Sequence, residues 1–278
     1  MKTRNGLLCV FLCAVLVGTS GCVASDTTTR ETTTQTLAPE LAEYLQIPDA
    51  LLESLADSVQ TVDQTSRGET TTVQVKQTLG NTRELYVLYS VTIPEETVFT
   101  TLEEGAVPVT AVTLSGKSGS VIPLEVDGRS ETYISYFEGP SQGWKGQEVQ
   151  LELICGPSKE VHTLSWTSTT QGEIREGTVT AESGETMGTL SLSPFSLRFD
   201  LLTTAQTEME ASEAFTEAFL DSIAIVDQNG TTKQPKGGRS LSSTLGEERV
   251  HGSIDFSQVL DLNAVAAVQI DGYTVPLL

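Results

Sequence analysis

Histidine is the side chain best suited to move protons near neutral pH, and the sequence has two of them, His162 and His251. His162 lies in a segment predicted to be a strand, and His251 lies beside Gly252, where a loop is expected to enter a strand. Neither belongs to an HExxH pattern or to a His/Cys group with the spacing of zinc ligands. The sequence therefore predicts neither a metal site nor a histidine-based catalytic centre, and it implies no cofactor.

Serine and lysine patterns also give little support for catalysis. The stretch "SGKSGS" at 115–120 contains a Gly-Lys-Ser triplet, but a phosphate-binding loop would need glycine at the position of Ala111. We expect this stretch to be a hairpin loop. No S-x-x-K pattern is present, which argues against a serine acyl-enzyme of the penicillin-binding type.

Carboxylates are abundant, with 37 Asp and Glu residues, so their number alone is compatible with a glycosidase-type pair. No two of these carboxylates have a sequence context that identifies them as a catalytic pair. Asp127-Gly128, the stretch 227–230 and Asp271-Gly272 have the composition of β-turns, which we predict there. A cation site at one of these turns is the alternative, although none has the alternating acidic spacing of a calcium loop.

Aromatic residues provide the candidate ligand-binding site. Trp144 lies in the Gly-rich stretch "FEGPSQGWKG", shortly after Tyr136. Packing at the core or edge of a β-sandwich is the leading interpretation of Trp144. Contact with a sugar ring or a peptide is the alternative, and Trp144 and Tyr136 are its candidate residues. Trp166 lies in a predicted strand and is expected in the core.

The four cysteines favour export over catalysis. Cys9 and Cys13 lie in an apolar leader and Cys22 follows it, so Cys155 alone remains in the body of the chain. A single thiol cannot form an internal disulfide. Cys155 lies in the apolar run "VQLELICG", which favours a buried, inert thiol over a nucleophile.

The N-terminus has the parts of a bacterial secretory leader. Lys2 and Arg4 form a basic start, an eleven-residue apolar run follows at 7–17, and small residues precede Cys22. The apolar run is too short for an ordinary membrane-spanning helix, which needs about 20 residues. Residues 1–21 are therefore predicted to be a signal peptide.

Cys22 resembles a lipoprotein processing site, in which the thiol is lipidated and the cysteine becomes the new N-terminus. The sequence departs from that pattern at Thr19, where leucine is usual. The resemblance implies an extracytoplasmic protein that is anchored by its lipid to the outer face of the cell membrane. A plain secreted protein cut near Gly21 or Ala24 is one alternative, and an uncleaved anchor is another.

The charge balance limits the possible partners. The formal net charge is −21, and removal of the leader, with two basic and no acidic residues, makes it −23. Because no Lys/Arg cluster is present, the composition argues against nucleic acid and against electrostatic binding to anionic lipid. A lipid, and not a basic patch, would have to hold this protein at a membrane.

A tether and a short helical segment are predicted before the folded body. Residues 22–37 contain seven Thr and few apolar residues, so we expect a disordered spacer. Residues 38–60 are predicted to form two short helices, separated at Ile47-Pro48, that pack on the first sheet.

The rest of the chain is predicted to be mainly β, as two Ig-like β-sandwich domains in series. Residues 61–172 form the first and 173–278 the second, with the boundary between Thr170 and Glu185. The stretch 85–91 is apolar on both faces, which predicts a central strand. A single larger β-domain is the alternative. Within the second domain, "EASEAFTEAFL" is predicted as a short helix and "TTKQPKGGRSLSS" as a polar loop.

The stretches "LADSVQTVDQTSRGETTTVQVKQTLGNTRELYVLYSVTIPEETVF", "SLSPFSLRFDL" and "DLNAVAAVQIDGYTVPL" together resemble an ectodomain family of Gram-positive envelope proteins. Members of that family often lie outside a single membrane helix, in proteins similar to regulators that hold back extracytoplasmic sigma factors. The matching positions are mainly strand and turn positions, so they imply a fold and not a reaction. This chain departs from the family because no segment after the leader is predicted to span the membrane, so a regulatory role would need a transmembrane partner.

The sequence thus predicts a non-enzymatic envelope lipoprotein, a binding or sensory ectodomain for an envelope protein or a wall component. An extracytoplasmic hydrolase, which would use an unmarked carboxylate pair on a wall or extracellular glycan, is the alternative. It predicts two carboxylates with raised pKa values in one cleft. A purely structural spacer is a third possibility.

Overall fold

A computed structural model describes most of the chain beyond the predicted tether. The described residues are 36–94, 109–127, 129–140, 143–156, 158–202, 213–243 and 249–277. The predicted signal peptide, Cys22 and nearly all of the Thr-rich tether lie outside them. The stretch Thr34–Leu278 forms one compact unit.

The described strands form four antiparallel sheets, of which two belong to the first half of the chain. The first sheet has the order β1-β2-β3-β7-β6 and the second has the order β5-β4-β8-β9. Their bounds are β1 (Val59–Arg67), β2 (Thr72–Gly80), β3 (Glu84–Thr92), β4 (Val109–Leu114), β5 (Lys117–Ser118), β6 (Ile122–Asp127), β7 (Ser130–Glu138), β8 (Glu148–Cys155) and β9 (Glu160–Thr167).

Strand β3 is central, as its sequence predicts, and it is buried along most of its length. It pairs with β2 on one side and with β7 on the other. Leu85, Val87 and Tyr89 face the second sheet and join the first hydrophobic core. Tyr86 and Leu88 face the opposite way, into a separate apolar cluster. A strand that is apolar on both faces thus holds two layers together.

The helical segment before the first sheet is shorter than predicted. It consists of α1 (Pro39–Tyr44) and two 3₁₀ turns, Asp49–Leu51 and Ala56–Ser58. The prediction of helix up to residue 60 was wrong, because β1 already begins at Val59. There the chain pairs with β2 and buries the Val59 side chain, and these tertiary contacts outweigh a weak helical pattern. The segment packs on the outer face of the first sheet, as expected.

The second half of the chain contributes the other two sheets, one described α-helix and a 3₁₀ turn, Leu262–Ala264. One sheet has the order β10-β11-β12-β16-β15 and the other has the order β14-β13-β17-β18. Their elements are β10 (Arg175–Thr180), β11 (Thr186–Leu192), β12 (Ser196–Leu202), α2 (Glu213–Asp221), β13 (Ala224–Asp227), β14 (Thr232–Lys233), β15 (Gly237–Ser243), β16 (Arg249–Phe256), β17 (Val265–Ile270) and β18 (Tyr273–Pro276).

Alternating side chains from both of these sheets form a second hydrophobic core, to which Leu190, Phe199 and Val268 belong. The predicted short helix is present as α2, and Phe219 packs into this core. The prediction of a polar loop at 231–243 was wrong, because that stretch contains β14 and β15. Both strands lie at sheet edges and expose polar side chains, so their pairing leaves little apolar alternation in the sequence.

The connection between the halves is packed against the first half. Gln171 donates its backbone N–H to the Asp57 carbonyl at 3.0 Å, and Gly172 forms a parallel bridge with Asn81. Phe195 and Val259 from the second half enter the apolar cluster that covers the outer face of the first sheet. The halves therefore share buried apolar surface. We call this cluster, to which Tyr86, Leu88, Phe195 and Val259 belong, the junction cluster.

The mainly β prediction with β-sandwich architecture is confirmed by these four sheets. The Ig-like detail stays a prediction. No helix among the described residues is long and apolar enough to span a membrane.

Candidate functional site

The tight turn between β2 and β3 places a carboxylate at the start of β3, where the two halves meet. Asn81 sets this turn, since its Oδ1 accepts hydrogen bonds from the backbone N–H groups of Arg83 (2.7 Å) and Glu84 (3.0 Å). The Asn81 amide also donates to Glu84 Oε2 at 3.1 Å. As a result, the Glu84 side chain is only 1% exposed.

Three side chains of the second half complete the surroundings of Glu84. Ser193 Oγ donates to Glu84 Oε2 at 2.9 Å, and Ser196 Oγ donates to Oε1. Arg198 Nη2 lies 3.3 Å from the same Oε1. A buried charge is costly unless it is paired and hydrogen-bonded, and here both oxygens have partners. Glu84 is thus a polar junction between the halves.

Arg198 extends this junction into a network. It forms ion pairs with Glu138 (3.0 Å) and with Asp255 (3.9 Å), and it donates to Tyr136 Oη at 2.6 Å. Desolvation acts to lower the pKa of Arg198, but Tyr136 and the neighbouring carboxylates outweigh it and hold the pKa above its ordinary value. Burial, with Glu84 nearby, raises the pKa of Tyr136. Arg198 therefore stays charged and Tyr136 stays protonated at neutral pH.

A cleft of about 840 Å³ opens beside this network, between the β2–β3 turn and the sheet that contains β10, β11 and β12. Arg83 lies at one wall and pairs with Glu176 at 2.6 Å, at an exposed position. Arg198 borders the same cleft. Two guanidinium groups from different halves of a strongly acidic chain therefore face one opening.

The floor of the cleft consists of two rows of polar side chains that run across the strands. The strand register places Glu176 opposite Ser191 and Ser191 opposite Arg198, which gives the first row. The second row follows from the same register and contains Thr178, Thr189 and Asp200. Directly opposed side chains in neighbouring strands lie close enough to act together. The cleft thus presents hydroxyl, carboxylate and guanidinium groups to a ligand.

His251 continues the second row, since it lies opposite Asp200 in the β12–β16 pair. Its Nδ1 lies 3.4 Å from Asp200 Oδ1, and Arg249 Nη2 lies 2.7 Å from the same oxygen. Within the described residues, no serine, threonine or cysteine side chain hydrogen-bonds the His251 ring. His251 thus contacts Asp200, which lines the cleft, but His251 itself is not a lining residue.

The two aromatic residues singled out from the sequence lie on opposite faces of the first sheet. Trp144 is 2% exposed and belongs to the first hydrophobic core, together with Trp166. Its ring faces are covered, which favours the packing interpretation over ligand contact. Tyr136 is half-buried beside the junction cluster and joins the Arg198 network. Tyr136 is therefore near the candidate site, and Trp144 is not.

A second polar cluster ties the tips of the β1–β2 and β8–β9 hairpins together. Thr71 Oγ1 donates to Glu160 Oε2 at 2.5 Å and contacts His162 Nε2 at 2.7 Å. His162 Nδ1 lies 3.0 Å from Ser66 Oγ. Since the Thr71 proton goes to the carboxylate, this geometry suits a neutral imidazole that donates from Nε2 and accepts at Nδ1. We call these residues the Thr71 cluster.

Cys155 lies at the edge of the Thr71 cluster, with Sγ 3.8 Å from Thr71 Oγ1. The residue is fully buried, and burial raises the pKa of its thiol. Nucleophilic cysteines have lowered pKa values and are accessible. The geometry therefore supports the expectation of an inert thiol.

One serine motif is present in the sequence but was not among the predicted sites. "GPSQG" at 139–143 has the G-x-S-x-G spacing of a nucleophile elbow, but an elbow requires a strand before the serine and a helix after it. Here β7 precedes the motif and a turn leading into β8 follows it. Ser141 itself lies outside the described residues. The flanking elements do not match the α/β-hydrolase arrangement.

The turn prediction at Asp227 is confirmed in detail. Its Oδ1 accepts hydrogen bonds from the backbone N–H groups of Asn229 and Thr231, both at 2.9 Å. Asp271 also lies in a turn, with a φ of 47°. In the part of the chain that the structure describes, no three His, Cys, Asp or Glu residues are grouped as metal ligands.

The residues that build the cleft and the junction were not identified from the sequence, although one signal was present. Glu84 opens a strand that is apolar on both faces, where a lone carboxylate must find a buried partner. Arg198 gave no such signal, because it lies between the core residues Leu197 and Phe199 on the face of β12 where the alternation expects a polar side chain. Nothing in the sequence links these two positions, which lie 114 residues apart.

Comparisons with known proteins add little to this description. No protein family and no curated protein matches the chain. Among solved structures, it is similar to one described as "The crystal structure of the conserved domain protein from Bacillus anthracis", with 15% sequence identity and a TM-score of 0.46. The likeness covers 76% of this chain and 75% of that one. A likeness this distant carries no conclusion about function.

Proposed function

We propose that this protein is a non-enzymatic binding or sensory ectodomain of the cell envelope, held at the outer face of the cytoplasmic membrane by a lipid on Cys22. The observation that carries the binding role is the cleft lined by Arg83 and Arg198, because residues from both halves converge on it. Its volume of about 840 Å³ lies within the usual range of ligand sites.

The ligand that fits this cleft best is a polar wall component. The two rows of its floor offer hydrogen-bond donors and acceptors from Ser191, Thr178, Thr189 and Asp200, and Arg83 adds a charged donor at the wall. Glycan hydroxyl groups and peptide amides or carboxylates all suit such partners. The resemblance to envelope ectodomains is compatible with this role, and a signalling function would require a transmembrane partner.

The test of the binding role is a calorimetric titration of the purified protein with soluble wall glycan fragments and, separately, with wall peptides. Arg83→Gln is expected to weaken binding about tenfold, since a hydrogen bond to a charged group is lost. Arg67→Gln is the matched control, because Arg67 is exposed on β1 and does not line the cleft. Equal affinities of the wild type and Arg83→Gln would rule out this cleft as the site.

The anchor is tested separately, by intact mass and membrane fractionation of the natively expressed protein beside Cys22→Ala. We expect a diacyl mass on the wild type, which should sediment with membranes, and release of the variant. If both forms are soluble and unmodified, the lipoprotein proposal fails and a secreted binding protein replaces it.

A hydrolase remains the second candidate because three carboxylates surround Arg198, namely Glu84, Glu138 and Asp255. Partial burial raises the pKa of Asp255, which a general acid requires. Arg198, however, pairs with all three carboxylates and opposes the rise in the pKa of Asp255, so we favour binding. Turnover of a wall glycan that Asp255→Asn abolishes would establish the hydrolase instead.

A further inference from the structure

A second cavity, distinct from the cleft, lies at an open edge of the second half. Its volume is about 430 Å³. It opens where the chain crosses from β14 to β15, that is, from one sheet to the other across the core of this half. We call it the edge cavity.

Apolar side chains from both sheets form the walls of the edge cavity. Ile225 and Val265 are buried members of the second hydrophobic core, and Phe256 and Leu260 are partly buried against it. Pro235 is buried in the crossing loop. Ligand cavities are typically apolar with a few convergent polar groups, and this cavity has that composition.

The loop that frames the opening is held by hydrogen bonds. Gln234 Nε2 donates to the Asp221 carbonyl at 2.9 Å, and Ser257 donates its backbone N–H to the Lys236 carbonyl at 2.8 Å. Arg239 Nη2 lies 3.4 Å from the Pro235 carbonyl. These contacts fix the shape of the opening before any ligand arrives, which lowers the entropic cost of binding.

Two exposed lysines, Lys233 and Lys236, border the opening. Neither has a side-chain hydrogen bond or ion pair among the described residues, whereas Arg83, Arg198 and Arg249 are all paired. Two cationic side chains thus border one apolar opening in a chain with a net charge of −21.

One carboxylate, Asp227, also borders the opening. Its pKa is lowered, first by the backbone N–H of Thr231 and then by that of Asn229, and the charge of Lys233 adds to this effect. Asp227 is therefore already engaged by its own turn. The opening keeps a formal excess of one positive charge, to which Lys236 contributes without a facing acid.

We propose that the edge cavity binds a small amphipathic anion, with its apolar body against Ile225 and Val265 and its anionic group at Lys233 and Lys236. The ligand class that fits is a medium-chain carboxylate. This site is independent of the cleft between the halves.

The experiment is a calorimetric titration of the full chain with octanoate and, in parallel, with 1-octanol, which has the same chain and no charge. We expect octanoate to bind about tenfold more tightly, a difference that two rim charges can supply. The Lys233→Gln/Lys236→Gln double variant should lose this preference. Lys159→Gln, at an exposed lysine outside the cavity, should keep it.

A blocking variant locates the site. Ala264 is exposed at the rim of the cavity, so Ala264→Trp should fill the opening without disturbing the core and should abolish binding of both compounds. Equal affinities for octanoate and octanol, binding that survives Ala264→Trp, or no octanoate binding at millimolar concentration would each overturn the proposal. None of these results would affect the proposed function of the Arg83 cleft.

Discussion

At the scale of single residues, Glu84 joins the two halves through several buried hydrogen bonds. Asn81 from its own turn and Ser193, Ser196 and Arg198 from the second half all approach one carboxylate. Removal of the carboxylate takes an acceptor from the buried Asn81 amide and the Ser196 hydroxyl, whereas Ser193 keeps the Ser196 carbonyl and Arg198 keeps Glu138. Glu84 is therefore expected to matter far more for stability than an exposed glutamate that forms a single ion pair.

Glu84→Ala is predicted to lower the free energy of unfolding by about 3 kcal/mol, at the lower end of the cost of breaking a buried pair, because Arg198 keeps Glu138 as a partner. The measurement is urea denaturation at neutral pH. Glu176→Ala is the control, since its ion pair with Arg83 is exposed and should cost less than about 1 kcal/mol. Equal losses in the two variants would contradict the junction role.

The burial of His162 predicts that the free energy of unfolding depends on pH. Desolvation lowers its pKa in the folded protein, with Glu160 opposing the shift, so the unfolded chain binds the proton more readily. Stability from the neutral imidazole is therefore complete above about pH 6.5, the ordinary histidine pKa, and is lost as pH falls toward the lowered folded value.

The measurement for His162 is urea denaturation of the wild type and of His162→Gln between pH 5 and 8. The wild type is expected to be the more stable form at pH 8, and the difference should shrink toward pH 5. His251→Gln serves as the control, because His251 is partly exposed and outside the Thr71 cluster. A difference that stays constant with pH would refute the neutral-imidazole assignment.

At the scale of elements, the connection between the halves depends on a close backbone approach at Gly172. A Cβ there would lie 2.5 Å from the Gly80 carbonyl oxygen and 2.5 Å from Ser58 Oγ. Such distances force the backbone to move, and overpacking of this kind costs about 1–3 kcal/mol.

Gly172→Ala is accordingly predicted to lower the midpoint of thermal unfolding by several degrees. Gly238→Ala is the matched control, because a Cβ at Gly238 meets no atom within 4 Å. A Gly172→Ala protein as stable as the control would show that the connection can shift without cost.

Elements were predictable from the sequence to the extent that they bury an alternating apolar face. The central position of the strand at 85–91 was predicted correctly because both of its faces are apolar. Strands β14 and β15 expose polar side chains at sheet edges, so their backbone pairing leaves no periodic signal. The candidate site was not predictable, since Arg83 and Arg198 come from distant hairpins and line one cleft only after the two halves have packed together.

At the scale of the whole molecule, the contacts between the halves are both apolar and polar. Phe195 and Val259 enter the junction cluster beside Tyr86, and the Tyr86 and Phe195 rings lie 5.6 Å apart in an edge-on arrangement. Glu84 adds buried hydrogen bonds from the second half. Because neither half can unfold without exposing part of this surface, the halves are expected to unfold together.

The last prediction is a single calorimetric transition for the wild type, with calorimetric and van't Hoff enthalpies that agree. Phe195→Ala removes a ring that is 2% exposed at the junction, so it should cost about 3–5 kcal/mol and separate the trace into two transitions. Val161→Ala, at a side chain that is 61% exposed, should leave the trace unchanged. Two transitions in the wild type would mean that the halves unfold independently and that the junction cluster does not couple them.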